Sequence, residues 1–318
     1  APQPEKGEHF FLPAAKMGKS VPLLGDVPGT PREREYRPDP SYEKPKGRLL
    51  IFWGCNARAP KGQPFILDFA KLPTAKMPPM AMPSAATMES YRAAADARNE
   101  NAAWWPNGKG GKNPKAGSSL IGAQRVTSNF TPEINFTLAN DYMAALKVTS
   151  SDAAGAVQLA WNALPTATGY AAWAMGGMDR GASGGDMVMW TSANNRDFSE
   201  GMGWLPPAEV ARQISAKNVM PPSQTSCAIP AEAKAAAGGM MFGNLNAFGP
   251  EENFSYPPKP TAPKAVWTIE WTAKARFRAF TSILIGDAAL RGDAAPAPDA
   301  KSKPCKGPLG IPIPGSKC

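Results

Sequence analysis

Histidine is nearly absent from this chain: His9 is the one histidine in 318 residues. Nucleophilic catalysis of the Ser-His-Asp or Cys-His kind needs a positioned base beside the nucleophile. The single candidate lies in a proline-rich N-terminal stretch, and no GxSxG turn accompanies it. Cysteine is scarce as well. None of the four is spaced as CxxC or CxxCH, so neither a Cys/His zinc cluster nor covalent haem attachment is indicated. Long apolar runs are missing. The longest candidate, Phe280–Ile285, is strand-sized and far short of the ~20 residues that cross a bilayer as a helix. The segment Gly108–Lys112 lacks the GxxxxGK[ST] spacing of a phosphate loop, and no DxDxDG-like calcium loop occurs. The residues point to no cofactor, no metal and no transmembrane segment.

Proline and glycine, in contrast, are abundant, at 35 and 30 residues. Proline removes a backbone donor and glycine costs backbone entropy, so many loops and few long helices are expected. A hydrophobic content of 43%, with 9 Trp and 13 Phe, excludes global disorder. The formal charge of +9 suits an anionic partner or an acidic protein face, and equally plain solubility. Nucleic acid is not expected, because no recognised binding motif is present. An even number of cysteines reads as two disulfides in an oxidising compartment. Cys305 with Cys318 closes a short tail loop, which leaves Cys55 with Cys227 by elimination. The chain opens Ala-Pro-Gln-Pro-Glu, as a secreted protein does after signal-peptide removal.

The stretch Thr131–Met175 organises the rest. Ile134/Phe136/Leu138, Leu146/Val148 and Val157/Leu159/Trp161 alternate with polar residues, and turn residues separate the runs. Period-2 alternation over short runs is the mark of half-buried antiparallel strands. Further strands are expected at Leu49–Trp53, Phe65–Phe69, Met187–Thr191, Met240–Phe248, Trp267–Trp271 and Ala275–Ile285. Leu49–Trp53 is apolar at every position, as in a strand buried on both faces. Short helices are expected at Ser90–Asn99, Pro206–Ala216 and Pro230–Ala237. The fold class is all-β: two immunoglobulin/fibronectin-like β-sandwich units with short helical insertions and long Pro-rich termini. The arm spans residues 1–48, the first unit 49–150, the second 151–286 and the Cys-closed tail 287–318.

Three kinds of site come from the residues. Partner contacts are sought in the arm at Phe10, Phe11 and Leu12, in the Met/Pro-rich loop at Met77, Met80 and Met82, and in the tail at Leu309, Ile311 and Ile313, with packing on the chain's own body as the alternative for arm and tail. Exposed Met and apolar clusters adapt to partner surfaces. Trp104 and Trp105, followed by a Gly/Lys turn, form either a stacking platform for sugar rings or a plug for the sandwich end. Acids set among apolar residues, Asp68, Glu133 and Glu270, are the candidates for carboxylate hydrolysis; the alternative for Asp68 is an arginine partner such as Arg58, and for Glu270 one such as Arg276 or Arg278.

Val157–Met175 resembles the B–C hairpin of fibronectin type III domains, with Trp161 filling the sandwich centre and Tyr170 beside it. More widely, the blocks GRLLIFWGC, PFILDFAKL, TPEINFTLANDYMAALKVT, AVQLAWNALPTATGYAAW, VMPPSQTSCAIPAE, EENFSYPPKP and WTIEWTAKARFR resemble a family of uncharacterised secreted or periplasmic proteins of sphingomonads and related proteobacteria. This resemblance spans Gly47–Gly286 and carries no activity, so no functional residue follows from it. It implies an exported protein of the bacterial envelope. The expectation is a non-catalytic scaffold or accessory subunit whose partners are envelope proteins, such as a membrane complex. A glycan-binding module and a carboxylate-based glycoside hydrolase stand as the alternatives.

Overall fold

Alternating apolar runs between turn residues become strands, and among the described residues α-helix occurs in two segments opened by proline. The computed structural model describes residues 6–11, 16, 19–25, 47–71, 103–104, 115, 117–129, 131–179, 181, 184–195, 205–262, 265–286, 304–306 and 312–317. For residues 6, 24, 25, 103, 104, 304–306 and 312–317 it describes the backbone alone. In chain order the strands are β1 (Lys6–Phe10), β2 (Ser20–Gly25), β3 (Gly47–Trp53), β4 (Phe65–Asp68), β5 (Ala103–Trp104), β6 (Gly122–Ser128), β7 (Ile134–Leu138), β8 (Val148–Ala153) and β9 (Ala156–Trp161). There follow β10 (Gly169–Asp179), β11 (Gly185–Thr191), helix α1 (Pro207–Ser215), β12 (Ser226–Ile229), helix α2 (Ala231–Ala236), β13 (Met241–Tyr256), β14 (Trp271–Ile285), β15 (Pro304–Lys306) and β16 (Pro312–Lys317).

The fold is an all-β sandwich with an added sheet. One layer is six-stranded, in the order β14-β13-β10-β11-β3-β4, and the facing layer is β12-β9-β8. Only the β11–β3 pair is parallel among these strands. Their shared core holds Leu50, Phe52, Leu159, Trp161, Tyr170, Val188, Trp190, Ile229, Met241, Leu245 and Ile283. Trp161 and Tyr170 meet there with ring centroids 5.5 Å apart, as the sequence predicts. Buried polar tips need partners. The Tyr170 hydroxyl accepts from the Leu164 N–H, and the Trp190 indole N–H donates to the Gly54 carbonyl. Small residues set the close approaches. A Cβ at Gly243 would overlap the Trp173 carbonyl oxygen on the neighbouring strand. The β8–β9 hairpin turns through Ala154 and Gly155, both at positive φ, as a two-residue type I′ turn requires.

Both described helices match the sequence expectation. Pro206 and Pro207 open α1, and Pro230 precedes α2, because proline's fixed φ suits a helix start and its missing N–H costs nothing there. Val210 of α1 packs with Leu205 and Val219 on Ala171 and Phe248, so this helix covers one end of the outer side of the six-stranded layer. The helix expected at Ser90–Asn99 lies outside the described residues.

The segmentation differs from the one read in the sequence. The boundary expected near Ser150 falls inside β8, and β3 and β4, assigned to the first unit, complete the sheet of the second. The arm is not wholly irregular either. β1 and β2 pair with each other, and β1 pairs with β6, in a five-stranded sheet ordered β5-β2-β1-β6-β7. Partner choice is non-local, and nothing in a short run specifies it. Of the strand expected at Trp267–Trp271, only Trp271 is in a strand, as the first residue of β14, and residues 267–270 are not. They belong to the connection between β13 and β14, where the Trp267 indole N–H donates to the Pro257 carbonyl. β13 instead runs on past Phe248 to Tyr256, through an irregularity between Phe248 and Glu251.

The long β13–β14 hairpin carries the five-stranded sheet. Phe254 meets Phe136 of β7 in a tilted contact with ring centroids 4.9 Å apart, and the Glu252 carboxylate accepts the backbone N–H groups of Ala139 and Asn140 and the Asn140 side-chain amide. Burial alone raises this carboxyl. The three donors outweigh it and hold the group below its ordinary value of 4.5. A depressed carboxyl stabilises the fold above its unfolded pKa, and that contribution fades as pH falls through the folded value. The junction is therefore expected to loosen below about pH 4.5 by roughly 1 kcal/mol. Protection of the Ala139 and Asn140 amides, corrected for intrinsic exchange, should drop on acidification in the native chain. In Glu252→Gln it should be low and flat with pH. Unchanged protection down to strongly acidic pH would contradict this assignment.

Candidate functional site

Alternation fixes which side chains of the six-stranded layer face away from the core. On β10, Tyr170, Ala172 and Ala174 enter the core, so Trp173 and Met175 face out. Val188 and Trp190 of β11 enter it, so Met187 and Met189 face out. On β13 and β14, Met241, Leu245, Ile283 and Ile285 point in, which turns Phe242, Phe280 and Leu284 outward.

The strand register lines these outward residues up. Leu284 lies opposite Phe242, Phe242 opposite Met175, Met175 opposite Met189, Met189 opposite Ile51, and Ile51 opposite Phe65. One apolar row thus crosses all six strands of the layer. Phe242 is 55% exposed, Leu284 52%, and the neighbouring Met187 and Phe280 are 48% and 60% exposed. Trp173 and Trp53 flank the row on β10 and β3, half-buried. Helix α1 covers the sheet only near Ala171 and Phe248, which leaves this row outside its cover. Directly opposed cross-strand side chains lie ~5 Å apart, so the row forms a contiguous surface. Contiguous apolar residues on a protein surface, rimmed by polar ones, are the mark of an interaction site.

The rim of the face is charged. The Arg278 guanidinium lies 5.5 Å from the Phe280 ring centroid, and burial pushes its pKa down. Beside it Arg276 pairs with Glu251 at 2.6 Å. At the opposite edge Lys71 pairs with Asp68 at 3.3 Å. An apolar centre with a polar rim is the usual anatomy of a protein interface. A cleft of about 370 Å³ opens at the end of the β10–β11 hairpin, lined by Met187, Asp179 and Asp186. Its Asp186 carboxylate is already engaged by Arg48.

The contact residues expected from the sequence fall elsewhere. Phe11 is buried with Val21 and Leu120, so it anchors the arm to the chain's own body. Phe10 lies under the Arg125 guanidinium at 3.9 Å. Leu12, Met77, Met80, Met82, Leu309 and Ile311 lie outside the described residues, and Ile313 is placed on β16 by its backbone alone. Trp104 pairs through its backbone with Leu24, and Trp105 lies outside the described residues. Cys55 and Cys227 form a disulfide. Cys305 is on β15, and Cys318 lies outside the described residues.

The candidate acids are dispersed. Asp68 pairs with Lys71 rather than with the expected Arg58, which pairs with Glu232. Glu133 pairs with Arg125 and accepts from Asn135. Glu270 is exposed, and of the two arginines expected beside it Arg276 pairs with Glu251 and Arg278 lies over the Phe280 ring. A general acid at neutral pH needs a carboxyl raised by its surroundings. Here the Asn135 amide and Arg125 hold Glu133 down. The Lys234 ammonium does the same for Asp152, and the Ala59 N–H for Glu232. Burial raises Glu251, yet Asn253 and Arg276 bring it below the ordinary range. His9 is tied into the five-stranded sheet. Its Nε2–H donates to the Gln124 side-chain oxygen, since the Gln124 amide is already donating to Leu120, and burial lowers its pKa. Among the described residues no three His, Cys, Asp or Glu side chains gather where they could hold a metal ion.

The apolar face was missed by pattern reading, although a signal exists. Met187-Val188-Met189-Trp190 and Tyr170–Met175 are apolar on both faces, while the facing strand β9 is interrupted by Gln158. No helix among the described residues is long and apolar enough to cross a membrane. Comparison of the chain with protein-family models, with curated proteins and with solved structures finds no match.

Proposed function

We propose that this chain is a non-catalytic, exported protein of the bacterial envelope, a scaffold or accessory subunit held on a larger assembly through the outer face of its six-stranded sheet. The observation that carries the reading is the apolar row from Leu284 through Phe242, Met175, Met189 and Ile51 to Phe65. Burying such a row against a complementary apolar protein surface removes it from water at ~25 cal/mol per Å². The partner is accordingly an envelope protein, or a membrane complex, that presents an apolar patch. The disulfide between Cys55 and Cys227 supports an oxidising compartment. Carboxylates held in their ionised form and a histidine engaged by Gln124 support a role without acid–base chemistry.

The test is native extraction in gentle detergent followed by sizing of the complex. Wild type should migrate with an assembly at fixed ratio. Phe242→Glu combined with Met187→Glu alters two exposed positions, so folding should survive. It should weaken association by about 30-fold or more, as loss of a central apolar anchor does. Wild type that always elutes alone, or a doubly charged variant that assembles as well as wild type, would overturn the reading.

A further inference from the structure

β14 pairs with β13 along its whole length, and among the described residues no strand lies on its other side. An open edge presents a row of backbone donors and acceptors to any second strand, and proteins normally blunt such edges with lysine, proline, bulges or shortness. The other edges of the sandwich are blunted. β4 and β12 are four residues each, and β8 carries Asp152, paired with Lys234. Half of β14 is blunted too, by Lys274, Arg276 and Arg278. Its second half, Ala279-Phe280-Thr281-Ser282-Ile283-Leu284-Ile285, has neither charge nor proline.

That half is also self-complementary. When two copies pair antiparallel about a two-fold axis at Ser282, Phe280 of one copy lies opposite Leu284 of the other, on the outer face where both are exposed. Thr281 then meets Ile283, and Ala279 meets Ile285, on the inner face. Arg278 falls opposite Gly286, beyond the apolar pairs. The two Arg278 side chains end up at opposite ends of the seam, roughly 26 Å apart along strands that rise ~3.3 Å per residue, several times the ~8 Å physiological Debye length. A slip of one residue would set outer side chains against inner ones, so the side-chain period selects the register. Moving the axis to Thr281 would instead place Arg278 against Leu284.

We propose that two copies of this chain associate through antiparallel pairing of their Ala279–Ile285 edges about Ser282, fusing the two six-stranded sheets into one. The apolar row of each copy then runs into that of the other across the Phe280–Leu284 contacts. The pairing uses the strand edge and the docking described above uses the sheet face, so each stands without the other.

Sedimentation of the purified full-length chain over a range of concentrations tests it. Wild type should reach twice 33.6 kDa. Ser282 is exposed, so Ser282→Lys and Ser282→Glu should fold, as near-UV circular dichroism will confirm. Each variant alone sets like charges face to face on the axis and should weaken self-association at least about tenfold. An equimolar mixture of the two should restore the dimer. The Phe242→Glu, Met187→Glu variant should dimerise as wild type does, which separates this seam from the docking face. Monomeric wild type at every concentration would overturn the proposal. So would charged variants that dimerise normally, or a mixture that stays monomeric.

Discussion

Replacing Cys55 and Cys227 together by alanine should lower the stability of the chain by about 5 kcal/mol, the largest effect of any substitution considered. The bond links positions 172 residues apart. Closing so long a loop removes conformational entropy from the unfolded chain, and the chain-entropy relation gives about 5 kcal/mol at this length. That is comparable with the whole stability of an ordinary domain, 5–15 kcal/mol. Position adds to length. Cys55 follows β3 of the six-stranded layer, and Cys227 is on β12 of the facing layer, so the bond staples the two sheets of the sandwich. Cys227 is itself buried in the shared core. Urea unfolding checks the expectation. The midpoint of wild type should fall steeply when reductant is added, and that of the double variant, already low, should not fall further by a similar amount. A wild-type midpoint indifferent to reductant would show that the sandwich does not depend on the staple.

Arg48→Met should destabilise the chain clearly, and adding Asp186→Leu should recover most of the loss. Arg48 and Asp186 are directly opposed on the parallel strands β3 and β11, and they meet through two hydrogen bonds of 2.9 and 2.6 Å. The Asp186 side chain is only 2% exposed, whereas that of Arg48 is 33% exposed. Removing the arginine takes the guanidinium from a carboxylate charge that is shut off from water, and breaking a buried pair on one side costs more than the pair itself contributes. Removing both groups leaves no such charge, which is why the double variant should regain stability. Chemical unfolding of the two single variants and the double gives the coupling directly. Near-additive losses would mean that Asp186 finds other partners when Arg48 is gone.

Much of this architecture is visible in local patterns. Val157-Gln158-Leu159-Ala160-Trp161 alternates, and β9 lies there with its apolar residues in the core. Phe277, Ile283 and Ile285 are buried on β14 as their spacing predicts. Pro206 and Pro230 announce the two helices through their fixed φ. Even the Cys55–Cys227 bond follows from setting aside the two tail cysteines. What the patterns mislead on is equally physical. Trp267-Thr268-Ile269-Glu270-Trp271 alternates as cleanly as any strand, yet pairing begins only at Trp271, where a partner at Tyr256 is in reach. Alternation is necessary for a half-buried strand, but a strand also needs a neighbour.

The candidate site shows the same limit. Phe11 reads as an anchor of the proline-rich arm on either a partner or the chain's own body, and the choice falls to the body only because β1 and β2 fold back on β6 and bury it. The row from Leu284 to Phe65 escapes local reading because its members come from six strands, spread from residue 51 to residue 284. Each of them sits next to core residues in an apolar run, and hydrophobicity alone does not say which of two apolar faces meets the second layer.

By itself, then, the sequence determined an all-β chain with two proline-opened helices and a single histidine, His9, because period, φ restriction and composition act locally. The tertiary structure alone decided that β3 lies beside β11, that the boundary at Ser150 vanishes into a hairpin, and that among the described residues no further strand pairs with the uncharged edge of β14, next to the apolar row. Those outcomes depend on which distant segments come together. Loop closure and packing between layers settle that choice, and no single segment encodes it.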